Sequence, residues 1–82
     1  MIFYVYMLKS VNNKNIKTYV GYTNNLNLRL KKHNSSKGAK STRGNKWKII
    51  YKKRFYDKRL DMSFEYKLKK DKNKRKYLLS LS

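Results

Sequence analysis

A net charge of +19 on 82 residues sets the terms for any fold this chain adopts. Twenty-three Lys and Arg stand against four Asp and Glu. A compact chain of that composition repels itself, and the repulsion falls when a polyanion is bound. Nucleic acid is the polyanion that fits. Contacts to Z phosphates would give a log–log salt slope of about −0.9Z on duplex DNA. The abundance of Lys, Asn and Tyr points to AT-rich coding, which raises Lys but leaves the scarcity of acids unexplained. Charge leaves the chemistry open, because a small ribosomal or chromatin protein would carry the same balance.

The length predicts one domain over residues 1–82, which would hide roughly 60% of its unfolded surface. Cysteine is absent, which excludes disulfides and thiolate metal sites. One histidine is too few for a closed zinc site. The apolar run from Ile2 to Leu8 is too short for a signal-peptide core or a membrane span. A soluble, cytoplasmic monomer with no membrane contact is therefore expected.

Phe3 to Lys9 is aromatic and β-branched and reads as a strand. Asn12, Asn13 and Asn15 form a turn cluster, and Thr18 to Tyr22 reads as the strand that closes a hairpin. Gly21 inside that strand signals a bulge or a close backbone approach. Thr23 or Asn24 can cap a helix carrying Leu26, Leu30 and His33 at helical spacing. Asn34 to Lys46 reads as a polar loop with Gly38 and Gly44. Trp47 to Tyr56 reads as a third strand. Asp57 can cap a helix in which Leu60, Phe64 and Leu68 repeat every four residues. Asp71 can cap a last helix, whose Leu78, Leu79 and Leu81 give it an apolar side. The expected class is α+β: a small three-stranded antiparallel sheet flanked by helices in the order β-β-α-β-α-α.

Two stretches together resemble the GIY-YIG nuclease family. In FYVYML, Tyr4-Val5-Tyr6 stands where the family has Gly-Ile-Tyr. In TYVGYT, Tyr19-Val20-Gly21 stands where it has Tyr-Ile-Gly. NLRLKKHN then carries Arg29 and His33 on one helix, GAKSTRG supplies a basic loop, and DMSFEYKLKK places Glu65 on a helix after the third strand. The resemblance runs from about residue 3 to residue 79 and is greatest to small stand-alone members, similar to the nuclease domain of the endonuclease that cuts branched DNA. Tyr4 replaces the first glycine, which small members of this type often lack. Asn73 alone is available for a late metal-side asparagine, and no role is carried to it.

The resemblance implies a metal-dependent endonuclease acting on DNA, with magnesium or manganese as the ion. Hydrolysing a phosphodiester needs an attacking water, a proton acceptor, cations over the developing charge and help for the leaving oxygen. Glu65, the only glutamate in the chain, is implied as the metal ligand, and one carboxylate with waters and a phosphate oxygen suits a hard ion. Asp61, one turn earlier, could assist it. Taken without the family, Glu65 reads instead as a surface partner of Lys69 at i, i+4. By resemblance Tyr6 and Tyr19 position or deprotonate the water, although a free tyrosine, at about 10, is rarely ionised at neutral pH. Arg29 is implied to hold the scissile phosphate, for which its planar fork suits better than lysine. His33 could assist proton transfer or touch the phosphate, or else satisfy carbonyls at the helix end.

Lys37, Lys40 and Arg43 are expected to hold the nucleic-acid backbone away from the cut, which positions a substrate without reading its sequence. Trp47 reads as core rather than as a base-stacking platform. So short a chain leaves no room for a sequence-reading module, so branched, nicked or single-stranded DNA is the expected target, with room for a protein partner. The competing reading is a non-catalytic basic module that binds DNA or RNA, in which Glu65 has no special role. A third is an interaction subunit that borrows activity from a complex.

Overall fold

The computed structural model describes residues 2–12, 15–35 and 42–81. Three strands and three helices follow in the expected order: β1 Phe3–Ser10, β2 Thr18–Thr23, α1 Leu26–Asn34, β3 Trp47–Phe55, α2 Lys58–Lys70 and α3 Lys72–Ser80. The strands form one antiparallel sheet in the order β2-β1-β3. The most apolar strand is therefore the central one, and β2 is left with a free edge.

Alternation along β1 assigns its side chains to two faces. Tyr6 and Leu8 face one way, opposite Gly21 and Tyr19 of β2. With Trp47 they form a core cluster under Leu26 and Leu30 of α1. Val5 and Met7 face the other way and pack with Val20, Leu68 and Leu78, beneath α2 and α3. Burying a side chain of this size stabilises by roughly 1.5–3 kcal/mol. Leu68 and Leu78 thus anchor their two highly charged helices.

On β3, Trp47 and Ile49 join the first cluster while Tyr51 and Phe55 join the second. All four positions are odd, so unbroken alternation would put them on one face. A register shift between Met7 and Leu8 resolves this, since Met7 pairs with Tyr51 and Leu8 with Ile49. Ile50 is the extra residue of a bulge.

Several local expectations are corrected. The cap of α1 is Asn25, whose side chain accepts from the Leu28 amide at 3.1 Å, rather than Thr23 or Asn24. Thr23 instead turns the chain into the helix, its Oγ1 accepting from the Asn25 amide. Asn34 belongs to α1 rather than to the loop, and its amide brackets the Trp47 backbone in both directions. Leu60 is 61% exposed, because the apolar stripe of α2 meets the sheet only from Phe64 onward. Leu81 is likewise exposed. Asp57 and Asp71 cap α2 and α3 as expected. Trp47 is core, and its indole N–H donates to the Thr42 carbonyl at 2.9 Å. Among the described residues no helix is long and apolar enough to cross a membrane.

Candidate active site at the free edge of the sheet

Tyr6 stands on the central strand, yet its side chain reaches toward the edge. It does so by lying across Gly21, its cross-strand partner. A Cβ on Gly21 would come within 2.6 Å of the Tyr6 hydroxyl and 2.9 Å of the Tyr19 ring. The glycine is needed for that close approach. Its φ is not positive, unlike that of Gly44 at 82°.

The Tyr6 hydroxyl is buried and held from two sides by α1. Arg29 Nε donates to it at 3.3 Å, and His33 Nε2 lies 2.8 Å away. The other ring nitrogen of His33 lies 2.9 Å from Thr42 Oγ1. Arg29 can only donate. One arrangement satisfies every member: Tyr6 donates to Nε2, and the protonated Nδ1 donates to Thr42. The imidazole therefore binds two hydroxyls and no helix carbonyl, which replaces the helix-end alternative. Tyr19 completes the group, its ring centroid 4.9 Å from that of His33 and 6.3 Å from that of Tyr6.

Burial pushes the Tyr6 hydroxyl up to about 12, against the partial opposition of Arg29. Its phenolate is accordingly rare at neutral pH. The Arg29 guanidinium is raised in turn, first by its hydrogen bond to Tyr6. Burial, aided by the Arg29 charge, brings His33 down to about 4, so the ring is neutral at physiological pH.

These shifts predict how stability depends on pH. Between about 4 and the ordinary 6.5, the unfolded chain binds a proton at His33 that the folded chain refuses. Stability should therefore be intact above pH 6.5 and fall on the order of 3 kcal/mol as pH drops toward 4. Tyr6 acts oppositely, holding its proton to about 12 in the fold against 10 when unfolded, so stability is lost as pH rises through that range. The chain has only four acidic side chains to obscure the acid limb. Denaturant midpoints at pH 7 and pH 5 should differ clearly in the parent and much less in His33→Gln. Parallel acid limbs in the two chains would remove His33 as the cause.

Glu65 approaches from the opposite layer, on α2. Its side chain is only 13% exposed and pairs with Lys69 Nζ at 3.3 Å. Glu65, Lys69, Tyr19, Gly21, Tyr22 and Arg29 line one open cleft of about 330 Å³. The cleft thus straddles β2, taking Arg29 from α1 and Glu65 from α2. Tyr6 lies buried behind it.

The structure brings Tyr6, Tyr19, Arg29 and His33 into one contacting group and sets Glu65 across the cleft from it. Arg43 is exposed, next to buried Thr42. Lys37, Lys40 and Gly38 lie outside the described residues, as does the side chain of Asp61. Thr42, Lys69 and Tyr22 were not singled out from the sequence as site residues. Only the i, i+4 spacing to Glu65 marked Lys69 at all, and Thr42 had no signal, because a loop threonine has no periodicity.

Among the described residues no three His, Asp or Glu side chains gather into a metal cage. A lone carboxylate at the wall of an open cleft does suit a hard divalent ion that keeps most of its waters. On that test Glu65 fits magnesium or manganese, with Lys69 as the competing cation.

The sequence profile of the GIY-YIG catalytic domain matches residues 2–78. A UPF0213 protein of Oceanobacillus iheyensis is 43% identical over 67 residues, which is 80% of this chain and 74% of that one. One from Clostridium perfringens is 47% identical over 68 residues, or 82% of this chain and 70% of its own length. The solution NMR structure of a UPF0213 protein from Bacillus halodurans aligns with a TM-score of 0.57 at 37% identity, covering 100% of this chain and 86% of that one.

Proposed function

The chain belongs to the GIY-YIG catalytic-domain family, and from that premise we propose that it is a metal-dependent endonuclease that hydrolyses phosphodiester bonds in DNA. The observation that carries the reading is the cleft across β2, where a guanidinium and a carboxylate from opposite layers face one open space. A basic phosphate anchor opposite a metal-binding carboxylate is what hydrolysis of a diester requires.

Arg29 takes the scissile phosphate. Its own partner, Tyr6, is held by His33, which Thr42 holds in turn, so the guanidinium is preorganised rather than mobile. Tyr19 lines the cleft and orients the attacking water. Tyr6, with its hydroxyl at about 12 and buried, acts by holding Arg29. His33 is neutral and accepts from Tyr6, which fixes that hydroxyl's direction. Glu65 would hold magnesium or manganese, which when bound would supply Lewis-acid polarisation and a more acidic water. Lys69, here paired with Glu65, would be released to the substrate's phosphates if that carboxylate held an ion.

Recognition by charge and shape follows from the composition, since phosphate contacts carry no sequence information. Branched and single-stranded DNA are the proposed substrates, with Lys37, Lys40 and Arg43 on the backbone away from the cut. The chain is proposed to act as a monomer, with a protein partner raising its activity on branched substrates.

The test is direct. Purified chain is incubated with labelled branched and single-stranded DNA in magnesium, manganese or chelator. Cutting that needs the ion supports the reading. Tight binding with no cutting in either ion would favour the non-catalytic nucleic-acid module.

A further inference from the structure

Beside the cleft lies a second hollow of about 160 Å³, whose walls include Tyr22, Asn24, Leu28, Arg29 and Lys32. Tyr22 and Arg29 also line the cleft with Glu65. The two hollows therefore meet along a shared wall, and that wall contains the proposed phosphate anchor. We propose that the second hollow is a nucleotide subsite: it holds the nucleotide adjoining the scissile phosphate, with its base stacked on Tyr22 and its outer phosphate on Lys32.

The inference rests on the endonuclease reading for the position of the scissile phosphate. The rest comes from the hollow itself. Arg29 and Lys32 are three residues apart on α1, so their side chains leave the same face about 5–6 Å apart at Cβ. That separation suits successive phosphates of one strand. No acidic residue lines the hollow, and the first turn of α1 carries none either. Tyr22 is 36% exposed, although its cross-strand partner Val5 is fully buried. Its strand is at the sheet edge, so no neighbouring strand covers it on that side. The hollow has the size of one base rather than of a base pair, which favours an unpaired nucleotide. Stacking on an aromatic ring accepts any base, as a shape-selective enzyme requires.

Binding of a labelled short oligothymidylate is measured by fluorescence anisotropy, in chelator and over a range of salt. The same strand without its bases serves as the second probe. Tyr22→Ala should bind the base-bearing strand roughly 5- to 30-fold more weakly, and Tyr22→Phe should bind like the parent. On the abasic strand Tyr22→Ala and the parent should be equal. Lys32→Ala should flatten the salt slope by about 0.7 on both strands. Lys32 is exposed, so this variant reports even if a Tyr22 variant folds poorly. Parent-like binding by Tyr22→Ala, an equal loss on the abasic strand, or an unchanged salt slope in Lys32→Ala would each overturn the subsite. Cutting is not read here. A chain that never cuts but shows the Tyr22 effect loses the endonuclease reading and keeps a base-binding site.

Discussion

Glu65→Gln is expected to abolish ion-dependent cutting while leaving DNA binding equal to the parent's or tighter. The substitution is nearly isosteric and removes one negative charge from a cleft wall that faces phosphate. Among the described residues the fold loses the Lys69 pair at 3.3 Å, and an i, i+4 pair contributes roughly 0.2–0.5 kcal/mol. Chemistry loses far more. No group of three His, Asp or Glu side chains gathers among the described residues, so the proposed ion rests chiefly on Glu65. A loss on the order of 10³-fold in single-turnover rate is expected, comparable with removing a main electrostatic element of an active site. Affinity should not fall, because Lys69 becomes free to pair with phosphate. Single-turnover rates in magnesium and manganese, beside anisotropy in chelator, measure both. A glutamine variant that cuts at the parent's rate would reduce Glu65 to the partner of Lys69.

The strands and the helix order were legible because each rests on a local pattern. Phe3 to Lys9 is β-rich, Asn residues punctuate the hairpin, and single aspartates stand before α2 and α3. The site residues came from the family resemblance, to which spacing added one constraint. Arg29 and His33, four apart, had to share a helix face, and both do meet Tyr6. What could not be read were choices made by tertiary contacts. Thr23, Asn24 and Asn25 are all competent caps, and Asn25 is selected by the seating of Leu26 and Leu30 on Tyr6, Leu8 and Trp47. The bulge at Ile50 leaves no break in periodicity, because Trp47, Ile49, Tyr51 and Phe55 share one parity. The burial of His33 depends on Thr42, a residue nine positions away with no pattern to mark it. The reading of Leu60 failed for the opposite reason: its four-residue repeat is real, but the sheet does not extend beneath it.

The site's position at the sheet edge has one structural cause, and it yields the second large effect. Gly21→Ala should cost both stability and activity, although the backbone there suits any residue. The new methyl would sit 2.6 Å from the Tyr6 hydroxyl and 2.8 Å from its ring carbon Cζ. A flexible surface ring would swing away, but Tyr6 is 1% exposed and tied to Arg29 and His33. Relief must break one of those bonds or shift β2, at a cost of about 1–3 kcal/mol for overpacking. Arg29 then loses its anchor, and a displacement of about 1 Å at a reacting group can lower the rate about 10²-fold. A double-mutant cycle separates this cause from a general weakening of the strand. Tyr6→Phe removes the nearest clashing atom, so Gly21→Ala should destabilise the phenylalanine chain less than it destabilises the parent. The coupling should be at least ~0.5 kcal/mol, the lower end for contacting residues. Strictly additive melting data would mean that Gly21 serves β2 itself, and that the reach of Tyr6 across it does not depend on the missing side chain.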